Sequence, residues 1–74
     1  SEAEVVELVV SERWVYADKP LKSIGFPADT NLGAVVRQGK VIIPSGDTVL
    51  KAGDRLIIFS MKKAIPMVEQ FLTS

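Results

Sequence analysis

Residues 35–47 read VVRQGKVIIPSGD, two apolar runs joined through Gln38-Gly39 and halted at Pro44. A two-residue connection containing glycine suits a tight hairpin, because Gly39 takes the positive φ that such a turn demands without a steric penalty. Residues 32–37 and 40–43 are therefore expected to pair as antiparallel strands. Pro44 has no amide hydrogen to give to a ladder, so it belongs where the second of these strands leaves the sheet or lies at its edge, and Ser45-Gly46-Asp47 then turns the chain.

Upstream of the hairpin, residues 4–10 (EVVELVV) are rich in β-branched side chains. Strand alternation puts Val6, Leu8 and Val10 on one face and Val5, Glu7 and Val9 on the other. A short helix is expected next, capped by Asp18, with Pro20 tolerated in its first turn, Leu21 and Ile24 sharing a face, and Gly25 ending it. Downstream, residues 48–50 form a short apolar link, and the turn at residues 51–54 feeds a strand at residues 55–59 (RLIIF) that is apolar on both faces and so expected to be central. Ile65, Val68, Phe71 and Leu72 recur at helical spacing, and Phe71 is expected among the main contacts of a terminal helix over the sheet. Pro66 would break a helix beginning at Ser60, so the start is placed near Lys62 or Lys63, after an irregular turn. The order is β-α-β-β-β-α: an α+β, two-layer domain with a four-stranded mixed sheet, a short crossover helix and a C-terminal helix.

A chain of 74 residues, 47% hydrophobic and 24% charged, holds one small core. Such a core is marginal, and with no cysteine and no histidine neither disulfides nor the usual zinc ligands reinforce it. A partner surface is the expected supplement, which favours a homodimer or a fragment of a larger protein. The missing initiator methionine points to an excised domain, so residues 1–74 are expected to form one unit of a longer chain. Nine basic residues balance nine acidic ones, so no global field gathers nucleic acid or acidic lipid. No apolar run is long enough to insert into a membrane, and Ser1-Glu2-Ala3-Glu4 is the opposite of a basic signal-peptide start; a cytoplasmic location is expected. The first and last three residues are expected to fray.

Catalysis starts from a deficit. Without His or Cys no Ser-His-Asp or Cys-His arrangement exists, and no local motif marks a Ser-Lys or carboxylate alternative, so the expected catalytic set is none. Asp47 and Asp54 each follow a glycine in a turn, where aspartate ordinarily bonds nearby backbone amides. With Ser45 they supply too few oxygen ligands for a metal site. The glycines fall in a strand and in turns, and none belongs to a dinucleotide-binding fingerprint. Lys62 and Lys63 are read as solvated charges, with contact to an anion as the alternative, and Trp14 and Tyr16 as an extension of the first strand or a cover for the core, with partner contact and base stacking as the other readings. Arg37, at the end of a rigid strand beside the apolar Val36, Ile43 and Pro44, is the polar residue best placed to reach outward to a ligand or subunit.

The stretch from Arg37 to Leu56, RQGKVIIPSGDTVLKAGDRL, resembles the TrkA C-terminal domain family, also called RCK-C, and the resemblance extends through the Val-rich first strand, Leu21-Lys22-Ser23-Ile24-Gly25 and the final strand and helix. Membership implies a small regulatory domain that is not an enzyme, usually accompanies an RCK nucleotide-binding domain or a membrane transporter subunit, and often dimerises. It implies a role in a potassium transport system; the alternative is the same module on a proton antiporter or an organic-anion transporter. Some relatives bind cyclic di-AMP between two subunits. Carried over by position, that ligand-binding role falls on Val36, Arg37, Ile43 and Pro44, where arginine suits phosphate and the apolar side chains suit adenine.

Overall fold

In the computed structural model, which describes residues 2–74, four strands form one sheet: β1 (Ala3–Val9), β2 (Thr30–Arg37), β3 (Lys40–Ile42) and β4 (Arg55–Met61). A single helix, α1 (Ile65–Leu72), lies at the C-terminal end. The spatial order is β1-β4-β2-β3, so β4, apolar on both faces, is central as its sequence requires. Every neighbouring pair is antiparallel, which corrects the expected mixed sheet. A crossover between consecutive strands ordinarily seats them side by side in parallel. Here β1 and β2 do share a direction, but β4 enters between them and runs opposite to both.

The α+β architecture and the order of elements otherwise follow the sequence pattern. The β2–β3 hairpin turns through Gln38 and Gly39 at φ 50° and 78°, the left-handed pair of a type I′ turn. The crossover helix is short. It makes one 3₁₀ turn, Leu21–Ser23, entered from Pro20, while Asp18 sits upstream at φ 70° in a turn of its own and caps nothing. What holds the crossover is the 45–50 segment: Leu21 N donates to Thr48 O and Lys22 N to Gly46 O, each at 2.9 Å, and Pro20 bridges Val49. Once Pro44 releases β3 from the ladder, the chain can lie against the crossover instead.

At the C-terminus a 3₁₀ turn, Lys62–Ala64, precedes α1, so the start anticipated at Lys62 or Lys63 is irregular and the regular helix begins at Ile65. Pro66 falls in the first helical turn, where its missing amide has no intrahelical partner to lose. Val68 and Leu72 of α1 are fully buried against Val35, Leu56 and Ile58 of the sheet, with Val10, Trp14, Ile24 and Leu50 closing the core. Phe71 is only partly buried. It instead gathers Trp14, Tyr16 and Phe26, with ring centroids 5.0–5.7 Å apart, and Trp14 Nε1 donates to Phe71 O at 2.8 Å. Trp14 and Tyr16 thus cover the core rather than extend β1. The chain ends are tied: Lys62 N donates to Glu2 O and Val15 N to Ser74 O. The part of the expected fraying that concerns Ser1 lies outside the described residues.

Candidate functional site

Among the described residues, α1 and the crossover cover one face of the sheet. Strand alternation turns Val35 and Arg37 of β2, and Leu56 and Ile58 of β4, toward α1 and the crossover, and sends Val36, Arg55, Ile57 and Phe59 to the opposite, uncovered face. Arg37 therefore does not reach outward. It lies on the inner side at the end of β2, where Asp54, one residue before β4, also turns inward. Arg37 Nε donates to Asp54 Oδ1 at 2.8 Å, and Nη2 donates to Asp54 Oδ2 at 2.7 Å and to Val49 O at 2.9 Å.

The carboxylate is 2% exposed and also accepts the Lys51 amide at 2.8 Å, so the expected turn role of Asp54 is present and is only half of what the residue does. Burial pushes the Asp54 carboxyl up, but the hydrogen bonds from Arg37 and the Lys51 amide, with the charges of Arg37 and Lys51, outweigh it and hold the group below the usual carboxylate range. The hydrogen bond to Asp54 raises the Arg37 guanidinium in turn. This bidentate pair fastens the 49–54 loop to the hairpin. Asp47, by contrast, bonds no amide; it meets Lys22 Nζ at 2.9 Å on an exposed surface, where an ion pair contributes little.

The four residues singled out for a ligand are spread around the hairpin. Val36 points to the uncovered face. Ile43, just past β3, is 77% exposed. Arg37 is committed to Asp54 on the inner side, opposite Lys40 in the ladder, while Pro44 lies toward the other end of the hairpin. There Pro44 lines a groove of about 390 Å³ with Leu21, Phe26 and Leu32 and the polar Lys22 and Asn31. One copy of the chain does not bring all four into a single pocket. Among the described residues no group of acidic side chains is arranged to hold a metal ion, and no helix is long and apolar enough to cross a membrane.

The uncovered face carries the remaining candidate surface. Val5 and Val9 of β1, Phe59 of β4 and Val41 of β3 are each 51–66% exposed on it. Ala34, Val36 and Ile57 fill the space between them, and an ion pair, Glu7 with Arg55, crosses it between β1 and β4. At its centre a β-bulge between Leu32 and Ala34 lets the Phe59 ring lie directly on Gly33, where a Cβ would come within 2.6 Å of the ring.

Residues 5–73 match the TrkA-C domain. The chain belongs to that family. TrkA-C domains, equivalently RCK-C domains, are regulatory modules and not catalysts. Over 69 residues the chain is 41% identical to the Trk system potassium uptake protein TrkA homolog 1 of Methanosarcina mazei, covering 93% of this chain and 15% of that protein. It is 37% identical over 65 residues to the K(+)/H(+) antiporter NhaP2 of Shewanella oneidensis, covering 88% of this chain and 11% of the antiporter. The chain thus spans a small part of the length of these relatives. Among solved structures it superposes on an RCK domain with cda at a TM-score of 0.83 and 29% identity, covering 92% of this chain and 96% of the other. It superposes on the RCK C domain of the potassium transport protein KtrA in complex with cyclic diadenosine monophosphate at a TM-score of 0.77 and 26% identity, covering 93% of this chain and 82% of the other.

Proposed function

We propose that this TrkA-C domain is a non-catalytic regulatory and dimerisation unit of a cation-transport system, with potassium as the cation. It acts as a homodimer within a larger protein, joined to an RCK nucleotide-binding domain and serving a membrane transporter subunit from the cytoplasmic side. The observation that carries this reading is the family match across nearly the whole chain, together with its identity to a potassium uptake protein. The uncovered apolar sheet face supports the dimer, because a 74-residue core gains stability by covering it. The likeness to an antiporter supports a second reading, the same module on a potassium/proton exchanger. Potassium uptake by cells carrying the intact protein with and without these residues tests the first reading. Unchanged uptake and unchanged control of uptake overturn it, and a change confined to proton-coupled efflux selects the second.

Cyclic di-AMP is the regulatory ligand this reading favours, with Val36, Arg37, Ile43 and Pro44 as its contacts. Because one copy divides these residues between the two sides of its hairpin, the site requires two hairpins related by a twofold axis, which suits a ligand with a twofold axis of its own. Asp54 and Val49 take Nε and Nη2 of Arg37, which leaves Nη1 to face a phosphate. Calorimetric titration should saturate at one dinucleotide per two chains. Ile43→Asp, a change at an exposed position that brings a carboxylate toward the phosphates, should weaken binding without unfolding the domain. No heat at high micromolar ligand, with a silent ligand-observed NMR measurement, overturns the ligand assignment.

A further inference from the structure

The two edges of the sheet differ. β3 is three residues long and Pro44 closes it, which blunts that edge against further pairing. β1, on the other edge, runs seven residues with no proline and keeps an unbroken register with β4 from Ala3 to Val9. Its open side can be read residue by residue. Just beyond its two ends, Lys62 N donates to Glu2 O at 2.7 Å and Val10 N donates to Asp54 O at 2.9 Å. Hydrogen-bonded pairs in an antiparallel ladder recur at every second residue, so Glu4, Val6 and Leu8 also turn their backbone groups to β4. Val5, Glu7 and Val9 therefore turn theirs outward, and among the described residues these amides and carbonyls have no partner.

We infer that this edge takes up an extended segment of a partner protein as a further strand, and that the segment carries the pattern apolar-x-basic-x-apolar. A helix satisfies its own backbone groups internally, so a row of outward amides and carbonyls at strand spacing is matched by another strand. The side chains beside that row set the pattern, because residues paired with Val5, Glu7 and Val9 across the edge share their face of the sheet. Val5 and Val9, 59% and 54% exposed, are each covered by an apolar neighbour. Glu7 is held by Arg55 on its β4 side, and β1 itself supplies no base on the other, so a lysine or arginine directly opposite meets the carboxylate from the open side.

The same charge disfavours a second copy as the occupant. An antiparallel β1 from another copy, set so that Val5 meets Val9, puts Glu7 against Glu7, and like charges directly opposite are destabilising. Slipped by two residues, it leaves each Glu7 against a valine, with no base in β1 to meet it. Strand addition at this edge needs neither the proposed dimer nor the proposed dinucleotide.

A short capped peptide in which threonines alternate with valine, arginine and valine is the probe, titrated into the isotope-labelled chain and followed by amide hydrogen exchange. In the free chain the amides of Val5, Glu7 and Val9 should exchange fast and those of Val6 and Leu8 slowly, and the peptide should protect the first three. Binding should weaken about tenfold or more when the peptide valines are N-methylated, which removes donors and keeps the side chains, and by a similar factor when glutamate replaces the peptide arginine. Glu7→Lys, at an exposed position, should reverse that charge preference with an unchanged melt; if this variant does not fold, Glu7→Gln should abolish the preference instead. Equal binding of the plain and N-methylated peptides overturns strand addition, and indifference to the peptide's charge overturns the assigned pattern. Protection of the three amides that grows with the chain's own concentration gives the edge to a second copy and overturns the inference, as does an absence of binding at about millimolar peptide.

Discussion

Replacing Arg37 by alanine removes both guanidinium contacts from a carboxylate that is 2% exposed, and leaves Asp54 with the Lys51 amide alone. Breaking a buried ion pair from one side costs about 3–5 kcal/mol, because the remaining charge stays desolvated. At about 0.05–0.15 kcal/mol per residue, a chain of this size has about 4–11 kcal/mol in total. Arg37→Ala should therefore remove around half of the stability or more.

The opposite change should cost less. In Asp54→Ala the arginine left behind is 26% exposed and can turn its head to solvent, so the loss falls to about 2–3 kcal/mol, chiefly the carboxylate's hydrogen bonds and the orphaned Lys51 amide. Removing both charges in Arg37→Met/Asp54→Leu should return the domain to within about 1–2 kcal/mol of the parent, since no buried charge remains. Urea unfolding followed by the fluorescence of Trp14, which is buried in the core, measures all three. An Arg37→Ala cost below about 1 kcal/mol, or one smaller than that of Asp54→Ala, would refute the claim that this pair fastens the loop.

The Asp54 carboxyl is held below its unfolded value, so the stability it contributes is complete above the ordinary carboxylate range near pH 4 and is lost as pH falls through the folded value. Urea midpoints measured from pH 6 down to pH 2 should fall, and fall less in Arg37→Met/Asp54→Leu. Trp14→Phe deletes the 2.8 Å bond to Phe71 O and should cost about 1–2 kcal/mol, visible as a melting temperature lower by about 5–15 °C. Gln38→Asn at φ 50° in the hairpin turn should raise stability by about 0.5 kcal/mol, because asparagine tolerates the left-handed region better; a lower urea midpoint would contradict the type I′ assignment.

The sequence by itself determined the parts of this protein whose cause is local. Alternation in residues 4–10 assigned the faces of β1, Gln38-Gly39 set the hairpin, Pro44 ended β3, and the helical spacing of Val68 and Leu72 marked the buried side of α1. Only the tertiary structure decided that β4 enters between β1 and β2, because strand adjacency depends on which apolar faces find each other across the whole chain. It also decided that Asp18 caps nothing, since the bonds from Leu21 and Lys22 to the 45–50 segment hold the crossover without a cap.

Arg37 is the sharpest case. Read locally, a strand-end arginine before a turn faces water. Yet Val35 and Leu56 are core residues, and alternation from them puts Arg37 and Asp54 on the same inner side, so the signal for the pair was present. Joining the two needed the β2–β4 register, which brings residues 17 apart in the chain within 2.7 Å. The ligand candidates divide in the same way: their chemistry is legible residue by residue, but their distribution between the two sides of the hairpin is a property of the assembled sheet, because adjacent strand residues necessarily point in opposite directions.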